Sequence, residues 1–220
     1  MAHVIVSYDG SRDDRDALAL GQLFASAGAG LSLAYVRHAP EADTQADATA
    51  QAEAEELLAA AAEQLNGADV QQYVVLNAST ADGLAALAGQ VGADIIAFGS
   101  SYRTPPGRIA LPHTAEQLID DEVPCSIAVA PAGAYDARAS IAALRVYDED
   151  DDEEVQRTAS SLASALGASI AEQEGGLLLI ASRSDTPVGR LGISATAREQ
   201  AEQADSPVLL LARGAQLSFG

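Results

Sequence analysis

The chain has no lysine, no tryptophan and a single cysteine, and only three phenylalanines. Each scarcity excludes something. Without lysine there is no Gly-Lys-Ser/Thr, so a Walker-type phosphate loop is ruled out. Cys125 alone leaves neither an internal disulfide nor a cysteine-built metal site. His3, His38 and His113 show no ligand spacing, which argues against zinc. No Gly-x-Gly-x-x-Gly occurs, so the dinucleotide fingerprint is missing. No run approaches the roughly 18 apolar residues of a membrane span. Positive charge is also scarce: 12 basic residues, all arginine, face 32 acids, for a net charge of −20. Such a surface repels nucleic-acid phosphates and anionic membranes, so neither is expected as a partner. The bland reading of the charge is solubility. Met1–Val6 runs straight into a strand pattern without a charged leader, and together with the lone cysteine this sets the expectation of a cytoplasmic protein.

What is present centres on Asp94–Pro131. An apolar run, Ile95–Phe98, is too short for a helix and suits a strand buried on both faces. It breaks at Gly99 into a loop carrying Pro105, Pro106, Gly107 and two arginines. A short helix is expected from about His113 to Asp121, with Glu116 as a capping-box partner, before a second buried strand at Ser126–Ala130. A strand, a glycine-led loop and a helix start form a standard place to hold a phosphate in an open α/β sheet. Ser100, Thr104, Pro105, Gly107, Arg108, Thr114 and Ala115 recur as Ser182, Thr186, Pro187, Gly189, Arg190, Thr196 and Ala197, all shifted by 82 positions. That period is too long for a solenoid and fits a duplicated small domain.

In order, the first unit reads βαβαβαβαβ, which implies right-handed crossovers onto one parallel sheet. Its strands are expected at His3–Asp9, Leu31–Val36, Val70–Leu76, Asp94–Phe98 and Ser126–Ala130. Ser11 with Asp14, and Ser79 with Asp82, read as helix starts; Gly28 or Gly30, Gly67 and Gly92 read as stops. A linker is expected at 132–140. A second unit at 141–213 has no room for the second helix and third strand, and 214–220 reads as a frayed tail. Where the first unit has Asp9-Gly10-Ser11, the second has seven consecutive acids, Asp148–Glu154, which read by default as a solvated helix end.

Asp9-Gly10-Ser11 after the first strand, Tyr35-Val36 ending the second, and Gly99-Ser100-Ser101-Tyr102-Arg103 leading to Val123–Val129 together resemble the universal stress protein family, in a tandem form with a truncated second repeat. The resemblance implies Rossmann-like, doubly wound α/β sheets of order 3-2-1-4-5 in the first unit. It also implies an adenine-nucleotide site: nucleoside at Asp9 and Val36, phosphates on a loop of pattern G-x-x-G-(x)9-G-[S/T]. Gly99 matches the first glycine; Tyr102, Pro112 and His113 depart from the rest, with Thr114 following. Ser100, Arg103, Gly107, His113 and Thr114 complete the candidate set. Glycines there let backbone amides approach oxygens that a Cβ would block. In the second unit Ala181, Ser184, Ser194 and Ala195 stand at those positions, and the acidic run opposes a phosphate.

The resemblance therefore implies a regulatory ATP-binding module, here with an eroded phosphate loop. A nucleotide-free scaffold is the alternative, in which Asp9 caps its own turn. A slow ATPase is the third reading, disfavoured because nothing resembles a general base placed against a nucleophile. The two units are expected to pair as an internal pseudo-dimer through antiparallel last strands, which hides two apolar sheet edges; a homodimer also stays open.

Overall fold

The computed structural model describes residues 1–12, 14–38, 44–65, 70–133, 141–171 and 176–220. The loop at Pro40, the stop at Gly67 and most of the expected linker lie outside these residues. The first half comprises β1 (His3–Ser7), α1 (Asp14–Ser26), β2 (Gly30–Arg37), α2 (Thr44–Glu63), β3 (Val70–Leu76), α3 (Thr80–Val91), β4 (Ile95–Phe98), α4 (His113–Asp120) and β5 (Ser126–Val129). The second comprises β6 (Ala143–Tyr147), α5 (Glu153–Leu166), β7 (Ser169–Ile170), β8 (Leu177–Ile180), α6 (Ala195–Gln203) and β9 (Val208–Leu210).

All nine strands form one sheet of order β3-β2-β1-β4-β5-β9-β8-β6-β7. The first half has the expected order 3-2-1-4-5. Its neighbours are all parallel, and β5 and β9 meet antiparallel, Ile127 opposite Leu210 and Ala128 opposite Leu209. β4, β5, β8 and β9 are buried along their whole length, which is why their sequences are uninterrupted apolar runs rather than alternating ones. Two hydrophobic layers sandwich the sheet. α1, α2 and α5 cover one face; α3, α4 and α6 cover the other.

Local signals explain several helix boundaries. Ser79 accepts the Asp82 amide at 3.2 Å, and α3 stops at Gly92 in the left-handed region, φ 67°. α5 stops the same way at Gly167, φ 66°. The capping box at α4 is not formed. Pro112 is the N-cap and supplies no side-chain hydrogen bond, while Glu116 turns toward His113 and Arg198. A histidine at the first helical position sits past the cap, so its imidazole cannot reach back to the amides. The second half passes from β7 to β8 with no counterpart of α2, β3 or α3 among the described residues. No described helix is long and apolar enough to cross a membrane.

The expected frayed tail is instead docked. Leu217 and Phe219 are buried, and the Phe219 ring stacks on Phe24 of α1 at 6.1 Å between centroids. The backbone of the tail bonds both halves: Gly220 N to Ala27 O at 2.8 Å, Ala2 N to Ser218 O at 2.9 Å, and Phe219 N to Ser161 Oγ at 2.9 Å. Its two apolar side chains fill the gap between α1 and α5, a gap that exists only once both halves share one sheet. Replacing Phe219 by Ala is expected to destabilise the protein by about 3 kcal/mol, the usual cost of a buried aromatic. Urea denaturation checks this; an unchanged midpoint would mean the tail contributes nothing.

Candidate functional site

In an open parallel sheet, ligands bind beyond the C-terminal strand ends where the strand order reverses. Here that point lies between β1 and β4. The chain leaves β1 into Asp9-Gly10-Ser11, leaves β2 after Val36 and Arg37, and leaves β4 into Gly99 and Ser100. Parallel registry, with Ser7 beside Ala34 and Val6 beside Ala97, places all these residues at one sheet edge. Asp9 is exposed, Val36 is buried against α3, and Arg103, Gly107 and His113 are exposed, with Thr114 half-buried.

The β1–α1 turn is held by two carboxylates. Asp9 Oδ1 accepts the Ser11 amide at 2.9 Å, which is the self-capping turn that the scaffold reading anticipates. Asp14 reaches back from the start of α1, and its Oδ2 accepts the amides of Asp9, Gly10 and Ser11 at 2.5, 2.8 and 3.2 Å. The Ser11–Asp14 spacing signalled a helix start, but not that one carboxylate would collect three amides. Burial pushes the Asp14 carboxyl up to about 7, the Asp9 charge adds to this, and the amide hydrogen bonds oppose it.

The loop after β4 is built twice. Ser100 Oγ donates to Ala130 O at 2.8 Å, and Ser182 Oγ donates to Leu211 O at 2.6 Å. Ser101 N bonds Ala110 O as Arg183 N bonds Gly192 O, both at 2.8 Å. Gly107 N bonds Ala132 O as Gly189 N bonds Arg213 O, and both glycines are left-handed, φ 74° and 81°. Much of the sequence repeat thus serves the fold of the loop itself. Ser100, 3 % exposed, is a structural pin, and Gly107 turns the loop toward β5.

The two copies differ in what faces them. In the second half, Asp150 Oδ2 accepts the Ser184 amide at 3.1 Å, and Glu149 Oε1 accepts Ser194 Oγ at 3.2 Å. Ser194 in turn caps α6 through the Ala197 amide at 3.0 Å. The remaining cavity, between Tyr147, Asp150, Arg183 and Ala197, has a volume of about 10 Å³. Part of the acidic run is therefore not a solvated helix end. Asp148 closes its own turn by accepting the Asp150 and Asp152 amides, while Asp150 and Glu149 lie on the crevice. The Glu149 hydrogen bond also holds the Tyr147 hydroxyl above its ordinary pKa. In the first half, the matching amide of Tyr102 has no hydrogen-bond partner among the described residues, and no side chain caps α4. Arg103 adopts φ 72° there, and its guanidinium lies over the exposed Tyr102 ring, 5.3 Å from the centroid.

Residues 1–131 match the model of the universal stress protein family. The chain belongs to that family. A universal stress protein from Archaeoglobus fulgidus is similar at 12 % identity, with a TM-score of 0.69 over 96 % of this chain and 98 % of its own. The Pseudomonas aeruginosa protein PA1789, described as functionally unknown, is similar at 17 % identity, with a TM-score of 0.61 over 96 % and 92 %. Both likenesses concern the fold. No curated protein matches the chain. Tyr102, Pro112 and His113 remain departures from the family loop pattern.

Asp14 generates a pH prediction. A folded-state pKa raised from 3.8 to about 7 means that the charged form costs more in the folded than in the unfolded chain. Its contribution to stability is present below about pH 4 and is lost as pH rises through 7. Thermal unfolding of the wild type minus that of Asp14→Asn is expected to fall between pH 4.5 and 8. A flat difference would show that the buried carboxylate carries no such cost.

Proposed function

We propose that this universal stress protein is a regulatory adenine-nucleotide module that binds ATP once per chain, in the crevice of its first half. On this reading residues 1–131 form the binding domain and 141–213 a truncated, degenerate copy acting as its permanent internal partner, with 132–140 as linker and 214–220 as tail. The carrying observation is the contrast between equivalent loops. Asp150, Glu149 and Ser194 engage the second-half crevice, whereas the Tyr102 amide and the start of α4 meet no such groups.

Asp9 and Val36 would take the nucleoside. The Gly99–Ser101 backbone, Arg103, His113 and Thr114 would surround the phosphates. The fit is partial. Pro112 offers no amide, and Tyr102 carries a side chain where the family pattern has glycine. Affinity is therefore weak, which suits a sensor of abundant nucleotide rather than an enzyme. The acidic composition supports a role without nucleic-acid or membrane partners, and the lone Cys125 supports a reducing, cytoplasmic setting. The scaffold reading has one observation in its favour, the self-capped Asp9 turn.

Titration calorimetry with ATP, with mass spectrometry of nucleotide released from purified protein, separates the two. One site per chain is expected, lost in Asp9→Ala without loss of fold. Replacing Tyr102 and Pro112 by Gly and His113 by Ser is expected to raise affinity about tenfold, one recovered charge-assisted hydrogen bond. Absence of binding in every variant would leave the scaffold; two sites per chain would overturn the closed second half.

A further inference from the structure

The β5–β9 seam relates the halves by an approximate twofold axis. Ala128 faces Leu209, Ile127 faces Leu210 and Val129 faces Val208, and the registers against β4 and β8 make Ala128 equivalent to Leu209, Val129 to Leu210 and Ile127 to Val208. Contacts on the two sides of the seam are then expected to match. They do not. On one side the second-half loop is fastened to the end of α4: Arg190 donates to Glu122 O at 3.1 Å, and Leu191 N donates to Val123 O at 3.0 Å. The equivalents on the other side are Arg108 and Ile109 against Ala204 and Asp205, and no such bond joins them. A cavity of about 230 Å³ opens there instead, lined by Arg108, Arg145, Leu177, Gln203, Asp205 and Ser206, with Ala204 between them.

Arg145 is unusual for its place. It lies inside β6 opposite Leu178, and the sheet register makes it the counterpart of Ile5, which lies opposite Ile96 and is fully buried. α3 packs on the face holding Ile5. The second half has no described counterpart of α3, so a strand position that is apolar in one half carries a cation in the other.

Charge sharpens the point. Arg37, Arg157, Arg183 and Arg198 are paired with acids, and Arg190 and Arg213 donate to backbone carbonyls. Among the described residues Arg108 and Arg145 do neither. In a chain with 32 acids, two guanidiniums without partners among the described residues border one cavity, whose described lining holds the single carboxylate of Asp205. Guanidinium forks suit oxyanions, and the Gln203 amide and Ser206 hydroxyl add neutral donors.

We propose that this seam cavity binds a hydrogen phosphate group, free or as the end of a monoester, between Arg108 and Arg145. Asp205 selects for it. A phosphate group gains or loses a proton near neutrality and can donate its P–OH to the carboxylate, whereas sulfate has no proton to give and is repelled. The site is independent of the first-half crevice, because Arg145 stands on β6.

The test is calorimetry at pH 7 and constant ionic strength with inorganic phosphate, glycerol 3-phosphate and sulfate. The proteins are the wild type, Arg108→Gln, Arg145→Gln, Asp205→Asn and Asp9→Ala. One phosphate per chain is expected, at least about tenfold tighter than sulfate and about tenfold weaker in either arginine variant. Glycerol 3-phosphate binding equally well identifies a monoester end as a ligand; binding of inorganic phosphate alone identifies the free anion. Asp205→Asn is expected to bring sulfate level with phosphate, a gain that loss of folding cannot mimic. Asp9→Ala is expected to bind phosphate as the wild type does. No saturable phosphate binding, or undiminished binding in both arginine variants, would overturn the proposal. So would sulfate binding as tightly as phosphate in the wild type.

Discussion

The antiparallel contact of β5 with β9 is the interaction on which the rest of the molecule depends. Both strands are short, apolar and buried on both faces, so either alone would be an exposed template for pairing with another chain. Joined, they make one sheet and two continuous hydrophobic layers. Among the described residues the second half has two helices, α5 and α6, too few to cover a sheet. It borrows cover from its neighbour: α1 and α5 share a layer, and the docked tail with Phe219 closes the gap between them. Ser126 Oγ accepts the Ala212 amide across the seam at 3.1 Å, so even the polar groups there are satisfied jointly.

The two loops share a fold and differ in the charges that face them. Ser100 and Ser182 pin the same turn, and Gly107 and Gly189 take the same left-handed conformation. A carboxylate near a backbone amide is favourable in a chain this acidic, because no lysine competes for it. At the second crevice Asp150 accepts a backbone amide and Glu149 accepts the Tyr147 and Ser194 hydroxyls, while Asp14 collects the amides of the first turn. The first-half loop keeps its amide and helix end outside any such contact. One loop fold thus occurs once with carboxylates on it and once, among the described residues, without them.

The same pseudo-symmetry exposes the seam. Arg190 and Arg108 occupy equivalent places, yet one is bonded to the end of a helix and the other borders a cavity. Among the described residues no counterpart of α3 covers the strand face where Arg145 stands.

Much of the architecture was legible from residues alone. Uninterrupted apolar runs such as Ile95–Phe98 and Leu177–Ile180 announce strands buried on both faces, and the 82-residue recurrence of Ser, Thr, Pro, Gly and Arg announces two matching loops. Ser79 and Gly92 bound a helix through local backbone chemistry, which neighbours in sequence decide. Alternating elements announce a parallel sheet, and the strand order 3-2-1-4-5 comes with the family resemblance. What sequence could not supply depends on groups distant in the chain. That Asp150 reaches Ser184, that Phe219 reaches Phe24, and that Arg108 and Arg145 border one cavity are consequences of a sheet that forms only when β5 meets β9. Side-chain pattern along one element specifies that element; which charges meet across the sheet is decided by the tertiary structure, because long-range contact geometry is set by packing and not by local propensity.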